Sequence, residues 1–286
     1  MDNYVLNNGV EIPKMVFGCY KADTKGFDEV LITALQAGYT YFDTASIYET
    51  ERHLCKAIKD SSVDRKNIQI ASKAWTDEMG YEEIKEACCR SLERIGTDYL
   101  DVYMIHWPKR TIQEEGWKDR VLESWRGMED LYKEGVIKTL GMSNFLPHHL
   151  MCVLENCSIM PAINQIEVHP GYSQEAAVKY CQDKGILVQA HSSLGRGSMV
   201  DNAVVALLKE KYGKTVPQIC LRFLVQKGIC PVTTSSSMAH MLSNMDIFDF
   251  EISEEDMWML SCMPQDYNID GDPDFNDHDV SSKFDQ

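Results

Sequence analysis

The chain has 286 residues, 44% of them apolar, and a formal net charge of −16. That acidity, with no cluster of lysine or arginine, excludes nucleic acid and an anionic membrane surface as expected partners, and no apolar run approaches the ~18 residues of a membrane span. No Pro/Gly/Ser linker or break in composition divides the sequence, so one domain over residues 1–286 is expected.

In chain order, Val5-Leu6 and Glu11-Ile12 flank Asn7-Asn8-Gly9, a turn signal that predicts a β-hairpin. Strands are then predicted at Lys14–Phe17, Tyr39–Phe42, Ile68–Ala71, Leu100–Ile105, Ile137–Leu140, Ala162–Ile166, Ile186–Gln189 and Ile229–Thr233. Segments of helical periodicity separate them. The clearest runs from Tyr81 to Ile95, with Ile84, Ala87, Cys88, Ser91, Leu92 and Ile95 on one face. Gly135 and Gly185 stand just before strands, where a helix ends. A late helix begins at Ser253, with Asp256 three residues on, an acidic variant of the capping box. From Asp266 to Gln286 the tail carries seven Asp and one Lys without periodicity, and reads as a loop.

Ten cysteines would suit a disulfide framework in a secreted chain. Here Met1-Asp-Asn-Tyr-Val is neither a signal nor a transit peptide, and Cys88, Cys152, Cys181 and Cys220 fall inside helical apolar patterns. They read as reduced core residues of a cytoplasmic protein. No Cys/His spacing matches a zinc site, and no metal is expected.

Three of the strands end in a polar group: Asp43 after Tyr39–Phe42, Lys73 after Ile68–Ala71 and Ser72, and His106 after Leu100–Ile105. Strands alternating with helices predict an α/β fold, a (β/α)8 TIM barrel with the N-terminal hairpin as a cap, and such barrels carry chemistry at the carboxyl ends of their strands. Tyr48, five residues after Asp43, joins this set as candidate general acid. A free phenol has a pKa of about 10, so donating a proton near neutrality requires a neighbouring positive charge to stabilise the phenolate. Lys73 can supply that charge, Asp43 can hold the ammonium, and His106 can donate a hydrogen bond to a substrate carbonyl. Taken singly each has a plainer reading: a turn aspartate, a packing tyrosine, a solvated lysine, a structural histidine.

The wider motifs make the set specific. The run Gly38-Tyr-Thr-Tyr-Phe-Asp43-Thr-Ala-Ser-Ile-Tyr48-Glu-Thr-Glu51 resembles the first aldo-keto reductase signature, and Met128 to Phe145, ending Lys138-Thr-Leu-Gly-Met-Ser-Asn-Phe145, resembles the second. Ser72-Lys73-Ala-Trp75, Ile105-His106-Trp107-Pro108 and Asn164-Gln165-Ile-Glu-Val-His-Pro170 follow in the family's order. The resemblance covers about Val5 to Pro273. It implies reduction of an aldehyde or ketone by hydride from NAD(P)H, with Tyr48 protonating the oxygen and Asp43, Lys73 and His106 in support. It also implies a small-molecule partner, a monomer, and a C-terminal loop near the site. Tyr20, Tyr48, Trp75, His106 and Trp107 are the implied substrate contacts, and Phe275 is a candidate to close over the pocket.

For the cofactor the resemblance implies Ser143, Asn144 and Gln165 at the carboxamide and Ser192, Leu194 and Gly195 along the pyrophosphate. Gly18, Cys19, Tyr20 and Asp43 lie at the same mouth, and Asn244 matches an adenine contact. The chain departs from the family in places. His191 stands where a stacking tyrosine is usual, Ser193 where a proline is, and Thr40, Cys55 and Cys19 replace an arginine, a glycine and a threonine. In the 2′-phosphate motif a lysine, a serine and an arginine are matched by Thr234, Ser235 and His240. Two permanent cations are gone, which raises the expectation of NADH use beside NADPH. The alternatives are a catalytically weak, cofactor-binding regulatory subunit and a barrel lyase using Lys73 as a Schiff base.

Overall fold

A computed structural model describes residues 3–20, 25–265, 269 and 271–275. The hairpin predicted first is present as β1 (Asn3–Val5) and β2 (Glu11–Pro13), antiparallel with Val5 opposite Glu11. Gly9 takes φ +82° in its turn, the left-handed region that glycine enters without steric cost. Leu6 and Ile12 are buried with Val16, Tyr41, Val102 and Ile163, so the hairpin plugs one end of the barrel formed by the later strands.

Eight parallel strands close that barrel: β3 (Val16–Gly18), β4 (Tyr41–Asp43), β5 (Gln69–Ala74), β6 (Val102–Ile105), β7 (Leu140–Ser143), β8 (Ile163–Glu167), β9 (Leu187–His191) and β10 (Cys230–Thr233), with β10 paired to both β9 and β3. Around it lie α1 (Phe27–Ala37), α2 (Glu51–Ser61), α3 (Tyr81–Ile95), α4 (Trp117–Lys133), α5 (Pro147–Leu154), α6 (Glu175–Asp183), α7 (Ala203–Tyr212), α8 (Val216–Gln226), α9 (Met238–Met245) and α10 (Glu254–Ser261). This is the (β/α)8 barrel that the alternation predicts. Its main core lies between strands and helices, where Phe17, Phe42, Ile70, Tyr103 and Phe145 meet Leu31, Leu54, Ile84 and Trp125. Among the described residues no helix is long and apolar enough to cross a membrane.

Helix α3 has the predicted bounds and buries Ile84, Ala87, Cys88, Ser91 and Ile95, while Leu92 is only partly covered. Two expectations change. The strand expected at Ile137–Leu140 is regular only from Leu140 to Ser143; Ile137 makes an isolated bridge to Leu100. The apolar run stops before Gly141, yet the strand continues through it, and the close packing favours a residue without a side chain: a Cβ there would come within 2.8 Å of Met104 Cγ. At α10, Ser253 Oγ accepts from the Asp256 amide as expected, but the Asp256 carboxylate turns to Lys211 and Tyr212 on α7 and does not complete a reciprocal box.

The predicted tail lies largely outside the described residues. Where it is described, Asp274 meets Lys109 in the loop after β6 and His148 and His149 in the first turn of α5. Phe275 is 72% exposed and is not part of the cavity wall, contrary to its expected place over the pocket.

Candidate active site

Parallel pairing sets the first pair of site residues. Phe42 lies beside Ile70 and Asp43 beside Ala71, so two residues further along β5 the side chain of Lys73 reaches back to Asp43. Lys73 Nζ donates to Asp43 Oδ2 at 2.6 Å and to the Thr44 carbonyl at 3.1 Å. Its side chain is wholly buried, and that of Asp43 nearly so. The other Asp43 oxygen, Oδ1, accepts from Gln165 Nε2 at 3.0 Å, so the carboxylate orientation is fixed from two sides.

Tyr48 ends a short 3-10 turn, Ser46–Tyr48. The turn is pinned by Ser46 Oγ to Glu78 Oε2 at 2.5 Å and by the Thr44 and Thr50 hydroxyls at 2.9 Å. Below it the buried Glu51 accepts from Ser72 Oγ at 2.6 Å and is paired with Arg94. Lys73 Nζ lies 5.0 Å from the centroid of the Tyr48 ring. On the cavity side, the Tyr48 hydroxyl is 3.2 Å from His106 Nε2. The His106 ring is edge-on to Trp75, 4.9 Å between centroids. All four polar residues that the sequence gathered are together, three at the wall and Lys73 directly behind it.

The cavity they face has a volume of about 530 Å³ and runs along the carboxyl ends of the strands. One end holds Tyr20, Tyr48, Trp75, His106 and Trp107; the other holds Ser192, Leu194, Arg196, Gly197 and Thr234. Between them lie Ser143, Asn144, Gln165 and His191. Gln165 Nε2 spends its hydrogens on Asp43 and on Gln189 Oε1, at 3.0 Å each, which leaves its carbonyl oxygen for a ligand. Asn144 Nδ2 donates to the His106 carbonyl at 3.0 Å and its Oδ1 meets His191 Nε2 at 2.9 Å. Gly18 is closely packed, since a Cβ would lie 3.0 Å from Val232 Cγ1.

Backbone strain collects here. Six described non-glycine residues take positive φ, and Asn144, Ser192 and Arg196 line the cavity while Glu49 follows Tyr48. Each such residue costs of order 1 kcal/mol or more and persists because surrounding contacts impose it.

Other sequence expectations fall elsewhere. Cys19 is expected at the mouth, but its thiol is fully buried and turned toward the Phe17 carbonyl, outside the cavity wall. Burial first, and the Asp43 charge second, push that thiol far above the usual range, so it stays protonated. Gly195 supports the loop from beneath, where a Cβ would crowd Ser198 and His169. Ser235 caps its own turn by accepting from the Ser237 amide, and Asn244 is buried against Thr233. His240 is exposed on α9, one turn before Asn244. Sequence reasoning misses Ile47 and Val232 in the wall, while Ser193, Thr233 and Arg196, which it sets on the phosphate side of the cofactor, do line it. A signal for Arg196 exists: a basic residue between two glycines just past a strand end.

His148, His149 and Asp274 also meet, a grouping that spacing along the chain could not reveal. His149 Nδ1 accepts from the Leu146 amide at 3.2 Å, so the proton of the neutral ring is on Nε2, which donates to Asp274 at 3.1 Å. A metal at Nε2 would need that position bare, and Lys109 Nζ already holds Asp274 at 2.7 Å. These donors favour a hydrogen-bonded tie over a metal site.

The profile of the aldo/keto reductase family matches residues 20–261. The chain belongs to the aldo/keto reductase family. It is similar to the glyoxal reductase of Bacillus subtilis, 39% identical over 274 residues that cover 96% of each chain. It is 32% identical to the methylglyoxal reductase DkgA of Escherichia coli O157:H7, over 94% of this chain and 96% of that one. A silkworm (Bombyx mori) aldo-keto reductase solved with NADPH superposes with a TM-score of 0.84 at 32% identity, covering 91% of this chain and 86% of the silkworm chain. The protein is therefore an oxidoreductase that reduces carbonyls with a nicotinamide cofactor, and nothing favours the alternative of a regulatory subunit. The lyase alternative also loses support, because Lys73 Nζ is an ion-paired ammonium that does not reach the cavity wall.

Proposed function

We propose that this reductase acts on small aldehydes and on dicarbonyls of the glyoxal type, with Tyr48 as general acid. The observation that carries the reading is the 3.2 Å separation of Tyr48 Oη and His106 Nε2 at the cavity wall. Two donors that close can both reach one carbonyl oxygen, one polarising it and the other delivering a proton. Lys73, pinned by Asp43 and facing the Tyr48 ring, lowers the cost of the phenolate left behind. The aromatic end formed by Trp75 and Trp107 excludes water from the reacting atoms.

A bound dihydronicotinamide supplies hydride to the carbonyl carbon. Ser143, Asn144 and the carbonyl oxygen of Gln165 offer the donors and acceptors that a carboxamide requires, and Asn144 and Gln165 are already locked by their own hydrogen bonds. The phosphates fall to the loop of Ser192, Leu194 and Gly195. Ser235, His240 and Asn244 complete the adenosine end as Thr234 does, without a lysine or arginine among them. We infer that NADH is used at least comparably to NADPH, in a cytoplasmic monomer. Support for this comes from the cavity wall, where Arg196 is the only permanent cation among the described lining residues. Parallel assays of methylglyoxal, glyoxal and an aromatic aldehyde with NADH and with NADPH test both halves. No turnover of any carbonyl with either cofactor would sink the proposal.

A further inference from the structure

We propose that Glu78 is a positioning residue for the reaction: its carboxylate clasps the turn that carries Tyr48 to the strand end that carries Trp75, and so aims the acid at the carbonyl oxygen. The inference rests on the reading of Tyr48 as general acid and adds to it the group that holds it in place. Glu78 itself stands outside the cavity wall.

The Tyr48 turn has little rigidity of its own. Ser46–Tyr48 is a single 3-10 turn in which the Tyr48 amide donates to the Ala45 carbonyl at 3.1 Å, and so short a piece has poor hydrogen-bond geometry. Glu49, the next residue, is held at φ +60°, a conformation that surrounding contacts must impose. The Thr44 and Thr50 hydroxyls, 2.9 Å apart, close the base of the turn. At its front Ser46 Oγ donates to Glu78 Oε2 at 2.5 Å.

The second partner of that oxygen decides what the bond does. Glu78 Oε2 also accepts from the backbone amide of Trp75 at 3.0 Å, while Oε1 accepts from Arg90 Nη2 at 3.2 Å. Glu78 ends the turn Thr76–Glu78, which follows β5, the strand of Lys73. Trp75 presents its ring edge-on to His106, 4.9 Å between centroids, and His106 Nε2 lies 3.2 Å from Tyr48 Oη. A closed circuit results: from Glu78 to Ser46, along the turn to Tyr48, across to His106, through the Trp75 ring and back. Hydrogen bonds to a carboxylate are roughly twice as strong as neutral ones, and this side chain is largely shielded from water, 16% exposed. The separation of the two donors that face the substrate oxygen is thereby set from outside the cavity.

A misplacement of about 1 Å in such a site costs on the order of a hundredfold in rate. Loss of the clasp frees the Tyr48 turn but leaves Ser143 and Gln165 on β7 and β8. Chemistry should therefore slow while cofactor binding holds, a split that a general loss of structure would not produce.

The experiment follows one turnover of methylglyoxal in stopped flow, by the loss of NADPH or NADH absorbance per cofactor-binding site. The forms compared are wild type, Glu78→Ala, Glu78→Gln, Ser46→Ala and Glu78→Ala with Ser46→Ala. Glu78→Ala should slow the step at least about tenfold with cofactor Kd unchanged. Glu78→Gln keeps one oxygen for Ser46 and the Trp75 amide, and the half-exposed Arg90 can draw back from its NH2 group. Its rate should return to within about threefold of wild type. Ser46→Ala should slow the step at least about threefold, and the double variant should match Glu78→Ala within about twofold, because both substitutions break one bond. A wild-type rate in Glu78→Ala, equal slowing in Gln and Ala, or losses that multiply in the double variant would each overturn the inference. Should Glu78→Ala not fold, a wild-type rate in Ser46→Ala overturns it. Near wild-type turnover in Tyr48→Phe would instead remove the reading of the acid beneath it.

Discussion

Lys73 Nζ lies 2.6 Å from Asp43 Oδ2 with both side chains out of contact with bulk water, 0% and 4% exposed. A buried ion pair is a weak source of net stability, because desolvation of both charges opposes their attraction, yet removing one partner strands the other. Lys73→Met should therefore lower stability by about 3–5 kcal/mol, even though Gln165 still donates to Asp43. Adding Asp43→Leu to Lys73→Met should recover part of the loss. Denaturant titration of the three forms checks this, and a single variant as stable as wild type would mean that Asp43 is neutral without its lysine.

Tyr48→Phe is the cleaner probe of chemistry, since it keeps the ring packed between Tyr20 and His106 and removes only the hydroxyl. Its kcat for carbonyl reduction should fall at least about a hundredfold, the low end for a general acid. Cofactor Kd should change little. A variant with near wild-type kcat would remove Tyr48 from the role.

Much of this site is legible in the sequence because strand ends are legible. Asp43, Lys73 and His106 each follow a short apolar run, and parallel pairing brings such ends to one face of the barrel. Boundaries are less so: Gly141 resembles a terminator, and only its approach to Met104 and Ile163 explains why a strand keeps it. Side-chain direction is the hardest part. Nothing in the order of residues tells that the Cys19 thiol turns into the core, or that Asp274 travels to His148 and His149, more than 120 positions away. Those outcomes depend on contacts between elements that no local pattern contains.

Gly127 illustrates the same limit and gives a stability test. It lies inside α4, where glycine costs about 1 kcal/mol relative to alanine, so propensity alone would favour Gly127→Ala. A Cβ at this position would sit 2.6 Å from the Tyr81 carbonyl oxygen and 2.7 Å from Ile84 Cγ2. Packing opposes propensity, and the α3 backbone cannot give way as a flexible side chain can. Gly127→Ala should be net destabilising, by about 1–3 kcal/mol, in chemical denaturation. A stabilised variant would mean that α3 and α4 separate at little cost.

His149 should make the fold sensitive to acid. Its side chain is buried, and burial, opposed in part by the Asp274 charge, pushes its pKa down to about 4. In the unfolded chain the imidazole titrates near its ordinary value of about 6.5, so below that pH the unfolded state binds the extra proton first. Stability is then complete above about pH 6.5 and falls as pH drops toward 4, by something of order 3 kcal/mol. His149→Asn keeps an acceptor near the Leu146 amide and removes the titration. Its stability should vary with pH by about 2 kcal/mol less than wild type over that window, and parallel curves would assign the acid sensitivity to other groups.

Cofactor preference tests the departure from the family directly. Thr234 lines the cavity and is exposed, and His240 is exposed on α9, where relatives of this sequence pattern are expected to place a lysine and an arginine. A 2′-phosphate carries close to two negative charges at neutral pH, and hydroxyls on an acidic protein compensate them poorly. Charge-assisted hydrogen bonds contribute about 1.5–3 kcal/mol each, so Thr234→Lys with His240→Arg should move the ratio of kcat/KM values toward NADPH by about one to three powers of ten. Arg196 is the cation through which the unmodified protein could still hold the phosphate, and its loop is set for close approach by Gly195 and Gly197. The unmodified protein should use NADH at least comparably to NADPH at pH 7.5. A wild-type preference for NADPH above about a hundredfold would refute the reading, and Arg196→Gln would then show whether that arginine replaces the missing pair.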